Sequence, residues 1–241
     1  MAEFETIRRE GVGARTAQID EGLRAYMNKV YGLMSVAMLI TGGVAYAVGT
    51  NEAMLAAIFG SPIKWLVIFA PLIVVFAFSA MINRLSAATA QAVFWGFAAL
   101  MGLSISSIFA IYTGISIAQT FLVTAIAFAG LSLYGYTTKK DISGWGSFLI
   151  MGVIGLIVAS IVNLFLQSEA VMFAVSALGV LIFAGLTAYD TQSIKNEYIQ
   201  HAAHGDQEWL GKSAIMGALR LYLDFLNMFM FLLHFLGATQ E

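Results

Sequence analysis

KSAIMGALRLYLDFLNMFMFLLHF, residues 212–235, is the stretch whose reading decides the fold. It is long and apolar enough to cross a bilayer. Arg220, Asp224, Asn227 and His234 nevertheless interrupt it, at spacings of four, three and seven. Those spacings put all four on one helical stripe. A charged side chain in hydrocarbon costs at least ~2.5–3.5 kcal/mol, so such a stripe must turn toward protein or water. The apolar run before it ends in a second carboxylate, Asp190, within AGLTAYDTQSIKNEY, residues 184–198. Two acids on consecutive membrane segments form the candidate site.

Composition agrees with the class. Of 241 residues, 60% are hydrophobic and 11% charged, with a mean hydropathy of +0.84. A soluble domain of this length carries about a quarter charged residues. The expected fold class is therefore all-α, a polytopic membrane protein. The net charge of −2 comes with no basic tract, and no nucleic-acid partner is expected. The absence of cysteine excludes disulfides, thiolate catalysis and iron–sulfur sites. Residues 1–25 mix both charge signs and lack an apolar core, unlike a cleavable signal peptide. They read as a cytoplasmic N-terminal tail before a transmembrane domain at 26–241.

Seven spans are expected, at about 30–48, 64–82, 88–112, 117–136, 147–166, 171–190 and 220–236. Pro71 lies inside the second and predicts a kink there. Basic residues set the orientation. The tail (Arg8, Arg9, Arg15, Arg24, Lys29), Arg84, Lys139, Lys140, Lys195 and Lys212 fall on one side, and Lys64 alone on the other. By the positive-inside rule the N-terminus is cytoplasmic and the short GATQE tail lies outside. Glycines such as Gly42, Gly43, Gly96, Gly102, Gly130, Gly152, Gly155, Gly179 and Gly185 predict close helix contacts.

Depth decides whether the acids can meet. With Arg220 at the headgroups, Asp224 lies only ~6 Å inside and Asp190 is within reach near the same mouth. Two carboxylates in contact do not comfortably both ionise, so they would share a proton. Asn163 and Asn227 are the other polar groups expected along a pathway. His201 and His204 have a metal-compatible spacing, but nothing else in their loop completes a closed site. No Walker, zincin or serine-hydrolase motif occurs, and no enzyme is expected.

Tyr-Asp-Thr-Gln at 189–192, Leu-Tyr-Leu-Asp-Phe-Leu-Asn at 221–227 and GLSLYGYTTKKDISGWGSFL at 130–149 resemble the Bax inhibitor-1 family, specifically its bacterial branch. The resemblance implies a seven-helix bundle with six helices around a central, apolar seventh. It implies a pH-sensitive calcium leak in the inner (plasma) membrane, in which paired aspartates on the last two spans are the sensor. Asp190 and Asp224 match that pair. An arginine on the second span latches the pair in the family; Arg84 is the arginine nearest that span, and Arg220 is a second latch candidate. Calcium would then be the transported ion, passing transiently at Asp190 and Asp224, with no cofactor and no fixed metal. Calcium's preference for six to eight oxygen ligands suits weak passage through so sparse a set.

Two rival classes remain. Intramembrane aspartyl proteases also carry Tyr-Asp on one helix and an acid on the next. Their Gly-x-Gly pattern is replaced here by Leu221, Tyr222 and Leu223, and both prolines, Pro62 and Pro71, lie far upstream. A regulatory membrane protein acting on a membrane quality-control protease, or another membrane protein, is the other. In every case the lipid bilayer is a partner.

Overall fold

The computed structural model describes residues 2–201 and 206–240, with residues 2–18 as backbone alone. Among these residues nine α-helices follow one another: α1 Ala2–Gly49, α2 Glu52–Phe59, α3 Ile63–Met81, α4 Ala87–Ile105, α5 Ile108–Ile111, α6 Gly114–Thr137, α7 Trp145–Leu166, α8 Glu169–His201 and α9 Gln207–Leu236. Among the described residues, seven stretches are long and apolar enough to cross a membrane, with α4 and α5 counting together. The protein is an all-α, polytopic membrane protein.

Local chemistry sets the boundaries. Side-chain oxygens of Ser86, Thr113 and Asp206 accept the amide N–H three residues on, from Thr89, Ser116 and Trp209, and so start α4, α6 and α9. Helix α7 ends at Gln167, whose left-handed φ of 49° turns the chain back. Asn163 steadies that hairpin, because its Oδ1 accepts the Ser168 amide at 3.0 Å. Asn163 is thus held in a turn at one end of the bundle.

Helix α9 is the centre. Its most apolar window is 67% buried, far more than any other span. Four helices pack on it, α8, α1, α6 and α4, while α3 lies outside α4 and α7 outside α8. The seventh span is thus central as expected, with four helices packed most closely on it and α3 and α7 in an outer position. An apolar side chain facing lipid incurs no hydrophobic penalty, so α3 and α7 can be left outside. Phe69, Ile73 and Phe76 of α3 and Phe148, Met151 and Phe165 of α7 are exposed accordingly.

Close backbone approach fixes two of these contacts. A Cβ on Gly135 would fall 2.3 Å from the Ala188 carbonyl oxygen, and one on Gly102 would fall 2.5 Å from that of Thr41. These glycines lock α6 to α8 and α4 to α1. Gly152, Gly179 and Gly185 also sit against side chains, but Gly42, Gly43, Gly96, Gly130 and Gly155 face open space. In the core, the Tyr222 hydroxyl lies 2.7 Å from Thr41 Oγ1, which donates to the Ala98 carbonyl at 2.8 Å. That bond joins α9, α1 and α4.

Several boundaries differ from those expected. Helix α1 continues from Ala2 without a break, and its packed part begins at Leu23, before residue 26. The third span is broken at Ser106–Ser107, where the Ser106 hydroxyl donates to the Leu103 carbonyl. Helix α8 runs eleven residues past Asp190, and α9 starts thirteen before Arg220. Helix α2, entered through an Asn51 cap, was not anticipated. The chain end is also fixed: Gln240 N–H donates to Ile111 O, Thr113 N–H to Ala238 O, and Ala238 N–H to the Ser116 hydroxyl.

Candidate functional site

Helices α8 and α9 run antiparallel, and their extended ends set the site. On α8, Asp190 and Glu197 are seven residues apart, so they share a face about 10 Å along the axis. On α9, Arg220 and Asp224 are one turn apart. The structure brings Asp190 and Asp224 together, with their carboxyl groups within hydrogen-bonding reach of each other. Asp224 is 4% exposed. Among the described residues, its Oδ2 meets no other hydrogen-bond donor.

One step outward, Arg220 Nη1 donates to Glu197 Oε1 at 2.8 Å, in a pair whose side chains are about a third exposed. The same guanidinium is near enough to act electrostatically on both aspartates. Two aspartates and a glutamate thus share one arginine. The Tyr26 hydroxyl donates to Ser213 Oγ at 3.0 Å, and its ring lies 4.9 Å from that of Tyr198, tying α1 to this end. A polar recess of about 240 Å³, lined by Tyr189, Gln192, Ser193 and Glu197 among others, opens beside the ion pair.

Each residue of the Tyr-Asp-Thr-Gln run meets a different neighbour. Tyr189 occupies the space a side chain on Gly146 would need. Asp190 meets Asp224. Thr191 Oγ1 donates to the Thr187 carbonyl and accepts from Ser132, which in turn accepts from Tyr31 at 3.2 Å. Gln192 brackets the α6–α7 loop, accepting the Ile142 amide at 3.0 Å and donating to the Lys140 carbonyl at 2.8 Å. The motif is a hub where α1, α6, α7 and α9 are referred to α8.

The other candidates lie elsewhere. Arg84 is exposed in a short 3₁₀ turn after α3, and no described contact brings it to the carboxyl pair. Asn227 donates to the Leu223 carbonyl at 2.8 Å, and His234 Nδ1 meets the Met230 carbonyl. Both bond a carbonyl of their own helix, and the Arg220–Asp224 part of the stripe is where titratable side chains of α8 and α9 meet. His201 stacks on Trp209 with ring centres 4.0 Å apart, while His204 lies outside the described residues. No cluster of three metal-ligating side chains occurs among the described residues.

Glu197 is not among the residues that the sequence points to, and Gln192 enters there only as part of the Tyr-Asp-Thr-Gln motif, because hydropathy falls after Asp190. The signal available was spacing, since Glu197 is seven residues from Asp190.

Comparison with known proteins gives the same frame. Residues 23–241 match the family described as inhibitor of apoptosis-promoting Bax1. The chain belongs to the Bax inhibitor-1 family. An Escherichia coli K12 relative, inner membrane protein YbhL, is 48% identical over 217 residues, covering 90% of this chain and 92% of that protein. A Caulobacter vibrioides protein is 45% identical, covering 92% of both chains. A Rickettsia prowazekii protein is 44% identical, covering 95% of both. The Bax inhibitor-1 match begins at residue 23, where α1 becomes packed.

Proposed function

We propose that the chain is a pH-sensitive cation leak channel of the inner membrane, with calcium as its cargo, gated by the Asp190–Asp224 pair. The observation that carries this is the meeting of two carboxyl groups from successive helices at a buried site, one turn from a single arginine. A proton held between the two carboxyls supplies the donor that Asp224 Oδ2 otherwise lacks. Removing it leaves like charges in contact, which Arg220 is placed to offset. Arg220 is therefore preferred to Arg84 as the latch.

The sign follows from that competition. At higher pH the doubly ionised pair holds Arg220 inward and keeps α8 on α9. At lower pH a neutralised carboxyl weakens that inner hold and leaves only the outer Arg220–Glu197 pair, about 10 Å further along α8, to join the two helices there. Flux into calcium-dye liposomes should therefore be greater near pH 6 than near pH 8, rough brackets about neutrality. Arg220→Ala should flatten this difference and Arg84→Ala should retain it. Greater flux at the alkaline end would reject the sign.

The alternatives separate in the same assay. A regulator of a quality-control protease gives no flux at either pH. An aspartyl protease cleaves an added peptide; α9, however, is continuous helix through Asp224, with no opened backbone for a substrate strand. The orientation proposed from the basic residues is N-terminus cytoplasmic and C-terminus outside. A reporter fused after Glu241 should then work only outside the cytoplasm, and activity inside would overturn that topology.

A further inference from the structure

Helices α1 and α6 both pack on α9, yet they diverge from one another and leave a lateral groove. Three cavities of about 550, 520 and 470 Å³ lie end to end along it. Tyr31 and Phe128 are shared by the first two, and Met38, Gly42 and Phe121 by the last two, so the groove is continuous. Its floor is α9, through Phe225 and Leu226. Gly42 and Gly43 widen it, because nothing stands within 4 Å of where their side chains would begin.

Polarity in this groove is one-sided. Arg24 and Asn28 stand exposed at one mouth, next to Tyr136, and the walls beyond are almost wholly apolar. Arg24 has no ion-pair partner among the described residues. From Asn28 to Gly42 the helical rise is ~21 Å, more than the ~15 Å depth of one leaflet's hydrocarbon. An arginine at the headgroup end of an apolar trough of that length matches one ligand in both charge and shape.

We propose that this groove is a binding site for an anionic glycerophospholipid. Its phosphodiester pairs with the Arg24 guanidinium beside the Asn28 amide, and one acyl chain lies between α1 and α6 as far as Gly42. The site borders the gate, since Tyr31 on its wall bonds Ser132, which bonds Thr191 next to Asp190. The proposal does not depend on the leak reading.

The test uses the full-length chain in detergent micelles, titrated with phosphatidylglycerol or with phosphatidylcholine of the same acyl chains. Bound lipid is counted by intact-complex mass spectrometry. Wild type should retain one phosphatidylglycerol preferentially. Arg24→Gln should lower that preference about fivefold, the order expected for one basic residue at an anionic surface, because phosphatidylcholine, whose phosphodiester is already neutralised by its own choline cation, loses less than phosphatidylglycerol. Gly42→Leu, at an open position, should reduce retention of both lipids. Equal retention of the two lipids by wild type overturns the proposal. So does unchanged retention in both variants, which would mean ordinary boundary lipid only.

Discussion

The middle and the far end of α9 are held by different chemistry. From Ser213 to Asp224 the contacts are between side chains, two of them between groups that carry or share charge, Arg220 with Glu197 and Asp224 with Asp190, with the neutral Tyr26–Ser213 bond beside them. At the far end the hydrogen bonds each use at least one backbone group and no charged one. The residues after Gly237 pair with Ile111, Thr113 and Ser116, and the Gln240 side chain donates to the Phe109 and Tyr112 carbonyls. Backbone amides do not titrate in the physiological range, whereas carboxyl groups do. A central helix anchored in this way can respond to pH in its middle while remaining fixed at its far end.

The sharpest way to break that contrast is at Asp224. Asp224→Asn keeps the size and hydrogen-bonding capacity of the side chain but not the titration. Asp224→Leu also removes the oxygens from a buried site and should be the stronger change. Both should bring the ratio of flux near pH 6 to flux near pH 8 toward about one, measured in correctly inserted protein. A ratio like that of wild type in Asp224→Asn would move the sensor away from α9.

A smaller effect is expected at the fixed end. Deleting residues 238–241 removes the bonds to Ile111, Thr113 and Ser116, a loss of about 1–3 kcal/mol. The melting midpoint in micelles should fall and flux should rise at both pH values, with their ratio preserved. If the ratio collapses instead, the middle and the far end are not separate devices.

The charged middle was legible in the sequence because charge in a membrane span is rare and spacing converts directly into a helical face. Asp190, Arg220 and Asp224 could be found that way. The same rule picks out Asn227 and His234, whose side chains bond the carbonyl four residues back on α9. Glu197 escaped because it lies where α8 leaves the apolar zone, and hydropathy reports the membrane and not the helix. The fixed end left no signal at all. Ala238 acts through backbone groups that every residue possesses and Gln240 through its amide N–H and its side chain, and only the fold places them beside Phe109, Ile111, Tyr112 and Thr113. The number of helices around α9 was equally hidden, since α3 and α7 are apolar enough for either position.

Asp141 offers the smallest effect and the cleanest control. It is an exposed acid in the loop that Gln192 ties to α8, close in sequence to the gate motif's contacts but outside the spans. Its carboxyl accepts the Ser143 hydroxyl and the Ser143 amide, and these bonds hold it below the usual carboxylate range. A carboxyl depressed by folding contributes stability that is complete above the unfolded value and lost as pH falls through the folded one. That loss lies below about pH 4, so the bonds at Ser143 are constant across the interval in which flux should change. In wild type, exchange of the Ser143 amide, corrected for its intrinsic rate, should quicken only in that acid range. Asp141→Asn retains an acceptor oxygen and should abolish the acid-range change while leaving the flux ratio between pH 6 and pH 8 as in wild type. A flux ratio altered by Asp141→Asn would show that the pH response extends through Gln192 into the loop, and the contrast between the middle and the far end of α9 would no longer describe the gate.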